Sequence, residues 1–266
     1  MKRILFTTVN GMLKPFKGRG LSNTKIGKFI YKKVFVPNKP TYVQVEGFKL
    51  YIHKGEDLLS DSLLITEEYE PVETEVIKGI VKEGDVVVDA GANIGYYTLI
   101  LSKLVGPKGK VYAFEPGEEC FDLLKENVKE NKADNVILIN KALSNKEGDI
   151  KFYVNKKDKA SSSLLEETKD LGVEVIVKGT TLDKEVPEPI DFLKMDIEGA
   201  ELDALIGAPE LLTNCETMVI EVPEERRDFE DIKQLLLENR YKIKRLDEGN
   251  ILCSKKHVDS TKEVIE

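Results

Sequence analysis

The sequence predicts an α/β protein built on a mostly parallel sheet. Three observations carry that prediction. From Gly84 onward, short apolar strands alternate with helical stretches, which implies right-handed βαβ units. The glycine-rich turn Gly91-Ala92-Asn93-Ile94-Gly95 joins the first of those strands to its helix. Near the other end of the chain, Asp247-Glu248-Gly249-Asn250 separates two apolar-patterned runs and favours an antiparallel hairpin that closes the sheet.

Taken in order, residues 1–40 form a basic arm, followed by a small unit over 41–83. Within that unit Thr41–His53 alternates apolar and polar residues around Gly47 and reads as a β-hairpin. Pro71–Lys82 reads as a helix with Val72, Val76, Ile77 and Ile80 on one face and Pro71 in the first turn. The main domain spans 84–256. Its strands are expected at Asp85–Ala90, Lys110–Glu115, Asn135–Asn140, Ile190–Asp196 and Glu216–Val222. Its helices are expected at Gly95–Val105, Glu118–Asn131, from Ala200 with a break near Gly207-Ala208-Pro209, and Phe229–Asn239. Asp149–Val154 and Val173–Lys178 read as an inserted strand pair, linked through a loop at Ser161-Ser162-Ser163. Tyr241–Leu246 and Ile251–Lys255 form the closing hairpin, and 257–266 is a polar tail.

Composition narrows the function classes. The chain has 266 residues, enough for one large domain with an appendage, and its 41% hydrophobic content excludes a disordered chain. No apolar run approaches the roughly 18 residues of a membrane span. The first residues have too short and broken an apolar stretch for a secretory signal. Cys120, Cys215 and Cys253 form no CxxC pair, which points to a reducing compartment, and the expected location is the cytoplasm. His53 and His257 are too few and too far apart for a structural zinc site.

Charge is split. The net charge is −8, yet residues 1–40 hold ten Lys or Arg and no acid. Removing those ten from 40 leaves 30 basic against 48 acidic groups in 41–266, a balance of −18. That body repels nucleic acid, so nucleic acid is not the expected partner. Leu21, Ile26, Phe29, Ile30 and Val34 have partly helical spacing with lysines between them. The arm therefore reads either as an amphipathic helix on an anionic membrane surface, giving peripheral attachment, or as an extension docked on its own acidic body.

The strand-turn-helix at Val86–Gly95 offers backbone N–H groups at a helix start, and Gly91 lets the chain approach a ligand closely. Glu115 ends the next strand, 24 residues after Gly91, where a carboxylate accepts hydrogen bonds from a ribose. A dinucleotide site wants G-x-G-x-x-G, and a P-loop wants G-x-x-x-x-G-K-[ST]; neither is present. Asp89 precedes the first glycine, and an acidic strand end suits the cationic parts of S-adenosylmethionine. A turn that only packs helix on strand is the structural alternative.

A second cluster ends a later strand: Phe192-Leu193-Lys194-Met195-Asp196-Ile197-Glu198-Gly199-Ala200-Glu201. Alternation sends Lys194, Asp196 and Glu198 to one face. Asp196 is expected to take or orient an acceptor hydroxyl's proton, with Lys194 setting its charge state. Glu198 and Glu221 are expected to bind the acceptor. An ion-paired strand end without chemistry is one alternative; a divalent cation held by Asp196, Glu198 and Glu221 is another, although no metal ligand is assigned.

With these residues on the page, the chain resembles the FkbM family of S-adenosylmethionine-dependent methyltransferases over roughly 41–255. The resemblance lies in Val88–Thr98, Ala113-Phe114-Glu115-Pro116, Lys141-Ala142-Leu143-Ser144, Thr181-Leu182-Asp183, Phe192–Glu201 and Tyr69–Thr74. It implies a Rossmann-like class I methyltransferase fold, a seven-stranded mostly parallel sheet with the last strand antiparallel. It implies methyl transfer to a hydroxyl on a sugar, glycolipid or secondary metabolite. It also implies that Asp89, Gly91, Asn93 and Gly95 cradle the methionine part, that Glu115 holds the ribose, and that Asn140 and Ala142 lie beside the adenine. Glu70, Thr74, Ala92, Tyr96 and Pro116 join the cofactor-binding set on the same ground. Ser162, Ser163 and Leu164 resemble a loop near the pocket. The family often shows a His after the acid of the fifth strand; here Pro223 follows Glu221-Val222, and that role does not carry over. An RNA methyltransferase using the basic arm, and a cofactor-binding module without turnover, are the competing readings.

Overall fold

The computed structural model describes residues 29–155, 162 and 172–255. Residues 1–28 of the arm, Ser163, Leu164 and the tail from His257 lie outside the described residues.

The described part of the arm packs on the body. Tyr31 and Lys39 both reach Asp61, Lys39 also donates to the Gly55 carbonyl, and Phe35 is buried. A hairpin follows, β1 (Tyr42–Val45) and β2 (Phe48–Tyr51), paired antiparallel around Glu46-Gly47, both at positive φ. Glycine at the second position suits a turn that needs two left-handed residues. Helix α1 (Leu58–Thr66) was not foreseen, because leucines on several sides leave no clear apolar stripe. Its start is set by Asp57, whose carboxylate accepts from the Ser60 N–H at 2.9 Å.

Helix α2 (Pro71–Ile80) matches expectation in place, and Val76, Ile77 and Ile80 of the expected face pack on the core, with Glu73 and Thr74 buried beside them. Its buried residues are Glu73, Thr74 and Ile77, while Val72, Val76 and Ile80 are only half-buried. The alternation then runs β3 (Val86–Ala90), α3 (Tyr96–Val105), β4 (Lys110–Phe114), α4 (Glu118–Glu130) and β5 (Val136–Ile139). The insertion is a three-stranded sheet: β6 (Ala142–Leu143), β7 (Gly148–Asn155) and β8 (Gly172–Thr180), in the order β6-β8-β7. After α5 (Leu182–Glu185) come β9 (Phe192–Met195), α6 (Glu201–Ile206), α7 (Pro209–Asn214), β10 (Thr217–Glu221), α8 (Phe229–Glu238), β11 (Lys242–Arg245) and β12 (Asn250–Ser254).

The main sheet has the order β11-β12-β10-β9-β3-β4-β5. Pairings from β10 through β5 are parallel, and β12, last in the chain, runs antiparallel to β10 and β11. This is the predicted seven-stranded Rossmann-like sheet. Val88, Ala90, Leu193, Met195, Met218 and Ile220 face a core with α6 to α8. Val87, Phe192 and Val219 face the opposite core, covered by the hairpin, α1, α2 and α3. The chain leaves β3 toward β4 and β5 on one side, then returns to β9 on the other. The carboxyl ends of β3 and β9 therefore border the crevice where such sheets take ligands. Among the described residues no helix is long and apolar enough to cross a membrane.

Candidate active site

The crevice is shaped by two loops that touch. Gly91 sits at φ 86°, and a Cβ there would lie 1.7 Å from the Asp196 carbonyl oxygen. Only a glycine lets the β3–α3 loop pass the end of β9 this closely. The Asp196 N–H donates to the Ala90 carbonyl at 2.9 Å, and the Gly91 and Ala92 N–H groups both donate to the Phe114 carbonyl. Gly95, at φ 95°, enters α3 against Leu124. The lining of the resulting cleft includes Gly91, Asn93, Glu115, Pro116, Ala142, Asp196 and Glu198.

Glu115 is held from behind. Its two carboxylate oxygens accept from the Asn93 N–H at 2.9 Å and the Gly117 N–H at 2.7 Å. Burial pushes its carboxyl up to about 7, against the pull of those two donors. Asn140 braces the same turn, donating to the Glu115 carbonyl at 2.7 Å. Asp89 lies beneath the loop, fully buried. Its Oδ2 accepts from Thr98 Oγ1 at 2.5 Å, and its Oδ1 has no hydrogen-bond partner among the described residues. Asn93 Oδ1 is likewise buried without a partner. Orphaned buried acceptors, spare lone pairs on Glu115 and a cleft kept open by Gly91 fit a ligand that carries a cation and a ribose diol.

The acidic side is built around Lys194, which is buried at 2% exposure. Asp89 and Lys194 are register partners on β3 and β9, so both side chains leave the same face of the sheet. Lys194 Nζ lies 2.9 Å from Asp196 Oδ2 and 4.8 Å from the centre of the Tyr97 ring. Burial alone would lower the lysine, but Asp196, Glu73, Glu70 and Asp89 outweigh it and hold the ammonium protonated. Burial would raise Asp196, yet Lys194 and a hydrogen bond from Glu221 keep it below the usual carboxylate range. Glu221 is pushed up to about 10 by burial and by the adjacent Asp196 charge. Glu221 is therefore held toward its neutral form, and its O–H donates a hydrogen bond that the Asp196 carboxylate accepts.

The strand ends at Met195, one residue short of expectation, and this changes the geometry of Glu198. Alternation does not reach it; Glu198 sits at φ 52° in a loop. That loop is tied to Glu201, which accepts from the Ile197 and Gly199 N–H groups at 3.1–3.2 Å and pairs with Arg226. Glu70, Thr74 and Tyr96 lie on the α2 side and are absent from the cleft lining. Tyr97 donates to Glu70 at 2.9 Å, Thr74 donates to the Tyr69 carbonyl at 3.1 Å, and Tyr96 packs edge-on against Tyr69 and Tyr97. Among the described residues, no group of three or more His, Cys, Asp or Glu is arranged to hold a metal ion.

Several residues of this site were not foreseen. Phe114, Lys141, Leu143 and Phe152 line the cleft. Phe114 could have been read from its place before Glu115, whereas Phe152 arrives from the inserted sheet and has no local signal. Among the described residues Glu73 Oε1 is buried without a hydrogen-bond partner, and Glu73 faces the Lys194 cluster.

Comparison with known proteins follows this geometry. The family model described as the methyltransferase FkbM domain matches residues 89–243. The chain is 34% identical over 163 residues to a hexuronic acid methyltransferase, AglP, of Haloferax volcanii, covering 59% of this chain and 63% of that protein. It is 30% identical over 157 residues to the methyltransferase sdnD of Sordaria araneosa, covering 47% of this chain and 60% of that protein. The matches thus span less than two thirds of either relative. A crystal structure of an FkbM methyltransferase from Methylobacillus flagellatus superposes with a TM-score of 0.49 at 18% identity, over 74% of this chain and 52% of that one.

Proposed function

The chain belongs to the FkbM methyltransferase family, and from that premise we propose that it transfers a methyl group from S-adenosylmethionine to a hydroxyl of a sugar or sugar-bearing acceptor. One observation carries the reading: the glycine turn, Glu115 and Asp196 all border a single cleft, although they come from three separate strand ends. The similarity to a hexuronic acid methyltransferase supports a sugar as the acceptor class.

S-adenosylmethionine supplies an electrophilic methyl group when bound. Glu115 would hold the ribose hydroxyls through the lone pairs that its two backbone donors leave free. Asn93 Oδ1 would take an N–H donor of the ammonium, with the Asp89 carboxyl beneath the loop behind it, and Phe114 and Phe152 would flank the adenine. On the acceptor side the Asp196 carboxylate takes a hydrogen bond from the reacting hydroxyl. It would receive the hydroxyl proton as the oxygen bonds the methyl carbon and the donor's S–CH₃ bond breaks, its electron pair staying on sulfur. Lys194 keeps Asp196 ionised, and Glu221, already protonated, turns its donor toward Asp196. Glu198 borders the same opening and is available to the acceptor's other hydroxyls.

Calorimetry with S-adenosylmethionine, followed by incubation of the labelled donor with neutral and uronic sugars, tests the reading. Saturable binding and label in a base-stable methyl ether are expected. No binding heat at saturating donor removes the proposal.

A further inference from the structure

His53, Cys120 and Glu119 form a cluster that methyl transfer leaves unused. His53 follows β2 and is buried. Its Nε2 lies 3.6 Å from Cys120 Sγ, and its Nδ1 lies 3.4 Å from Glu119 Oε1. A carboxylate facing Nδ1 favours the tautomer with its proton there, which leaves the Nε2 lone pair toward the thiol. Cys120 is the third residue of α4, in the turn whose N–H groups lack helical partners and whose dipole favours a thiolate. A thiol, an imidazole within reach and a carboxylate orienting that imidazole is the arrangement that activates a sulfur nucleophile. Cys120 is itself buried, and what sets it apart is the imidazole beside it; burial pushes the Cys215 thiol up to about 12 and also raises Cys253.

The cluster stands next to the cofactor pocket. Cys120 borders a side cleft that shares Glu115, Pro116, Phe152 and Ser162 with the main one. Between Cys120 and Glu115 lies Gly117, the residue whose N–H holds the carboxylate. A single Cβ on Gly117 would already stand 2.9 Å from Glu115 Oε1 and 4.0 Å from Cys120 Cβ. A group added at Cys120 would enter the side cleft, which Glu115, Gly117 and Phe152 also line.

We propose that Cys120 is a modification site for small electrophiles, with His53 as its base, and that the adduct disables the Glu115 side of the cofactor pocket. His53 Nε2 takes the thiol proton, the sulfur lone pair forms a bond to the electrophilic carbon, and the leaving group departs with its bonding pair. With iodoacetamide an S–C bond replaces the C–I bond and iodide leaves. The first half stands on the cluster alone; the second rests on the cofactor reading.

The test is alkylation of the full chain by iodoacetamide at neutral pH, with each cysteine followed by peptide mass spectrometry. Cys120 is expected to react at least about tenfold faster than Cys215 or Cys253. His53→Gln should slow Cys120 alone by about tenfold, and Glu119→Gln, at an exposed side chain that leaves the fold intact, should slow it to a smaller extent. Equal rates at the three cysteines, or wild-type Cys120 rates in both variants, overturn the site. Protein alkylated at Cys120 should bind S-adenosylmethionine at least about tenfold more weakly, while Cys120→Ala binds normally. Alkylated protein that binds normally refutes the second half. If unmodified protein binds no S-adenosylmethionine, the methyl-transfer reading falls, and the alkylation rates still decide the thiol.

Discussion

Replacing Glu115 by Gln isolates the cofactor half of the site with little change in shape. A carboxylate offers about four acceptor positions, and two are occupied by the Asn93 and Gly117 N–H groups. The amide keeps one oxygen and turns an NH₂ toward one of those backbone donors. Either it flips away from the ribose or it leaves an N–H unsatisfied. Losing one charge-assisted hydrogen bond costs about 1.5–3 kcal/mol, which weakens S-adenosylmethionine binding by about 10- to 150-fold. The pH dependence gives a second reading. Burial pushes Glu115 from its ordinary 4.5 up to about 7. A group raised on folding favours the folded state below its unfolded pKa, and that contribution is lost as pH rises through about 7. The ribose needs the ionised form, so cofactor affinity should strengthen by about tenfold between pH 6 and pH 8. In Glu115→Gln that rise should vanish. Calorimetry at pH 6, 7 and 8 measures both effects. A variant that binds within twofold of wild type, or a wild type with no rise over this range, refutes the role given to Glu115.

Three further outcomes follow from the same geometry. Gly91→Ala puts a Cβ into the Asp196 carbonyl at a left-handed φ; the backbone conformation alone costs about 1–2 kcal/mol, and a lowered melting temperature with weakened cofactor binding is expected, whereas unchanged values would contradict the close approach of the two loops. Asp196→Asn should lower methyl transfer by about 10²–10⁴-fold with cofactor affinity kept; transfer of a labelled methyl at the wild-type rate would exclude Asp196 as the proton acceptor. Lys194→Met leaves Asp89, Glu73 and Asp196 facing one another without their cation, and should cost about 3–5 kcal/mol in urea unfolding at pH 7. The loss should shrink at pH 5 as the carboxyls protonate, and an unmoved urea midpoint would show that the cluster is not held by charge.

Much of this arrangement was legible in the sequence, for identifiable reasons. The parallel core strands are short apolar runs punctuated by Gly, Asn and Asp, and local chemistry alone places Gly91, Glu115 and Asp196 at strand ends. Helix α1 was hidden because Leu58, Leu59, Leu63, Leu64 and Ile65 spread around its axis. On α2 the apolar face was legible, but the burial of the polar pair Glu73 and Thr74 beside it was not. No hydropathy pattern assigns a glutamate to a core, since the reason lies on another strand, in the buried Lys194. The loop position of Glu198 was equally out of reach. It depends on Glu201 accepting two backbone N–H groups and meeting Arg226 from 25 residues further along the chain.

Lys194 explains why the two halves of the site sit on one face of one sheet. It is the register neighbour of Asp89 and the ion-pair partner of Asp196. The loop proposed to seat the cofactor and the acid proposed to meet the acceptor therefore share a counter-ion. A buried ammonium is tolerated only with close carboxylates, and those carboxylates stay ionised only near it. The balance is incomplete by design of the residue count: Glu70, Glu73, Asp89, Asp196 and Glu221 outnumber the single cation, and burial raises Glu73, Asp89 and Glu221 toward the neutral form. Asp196, hydrogen-bonded to both Lys194 and Glu221, is the group in this set whose pKa falls. Charge is thereby favoured on Asp196, which lines the cleft, and burial disfavours it on Glu73, Asp89 and Glu221. On the proposed reading, that distribution orients an acceptor hydroxyl toward Asp196 rather than toward the acids behind it.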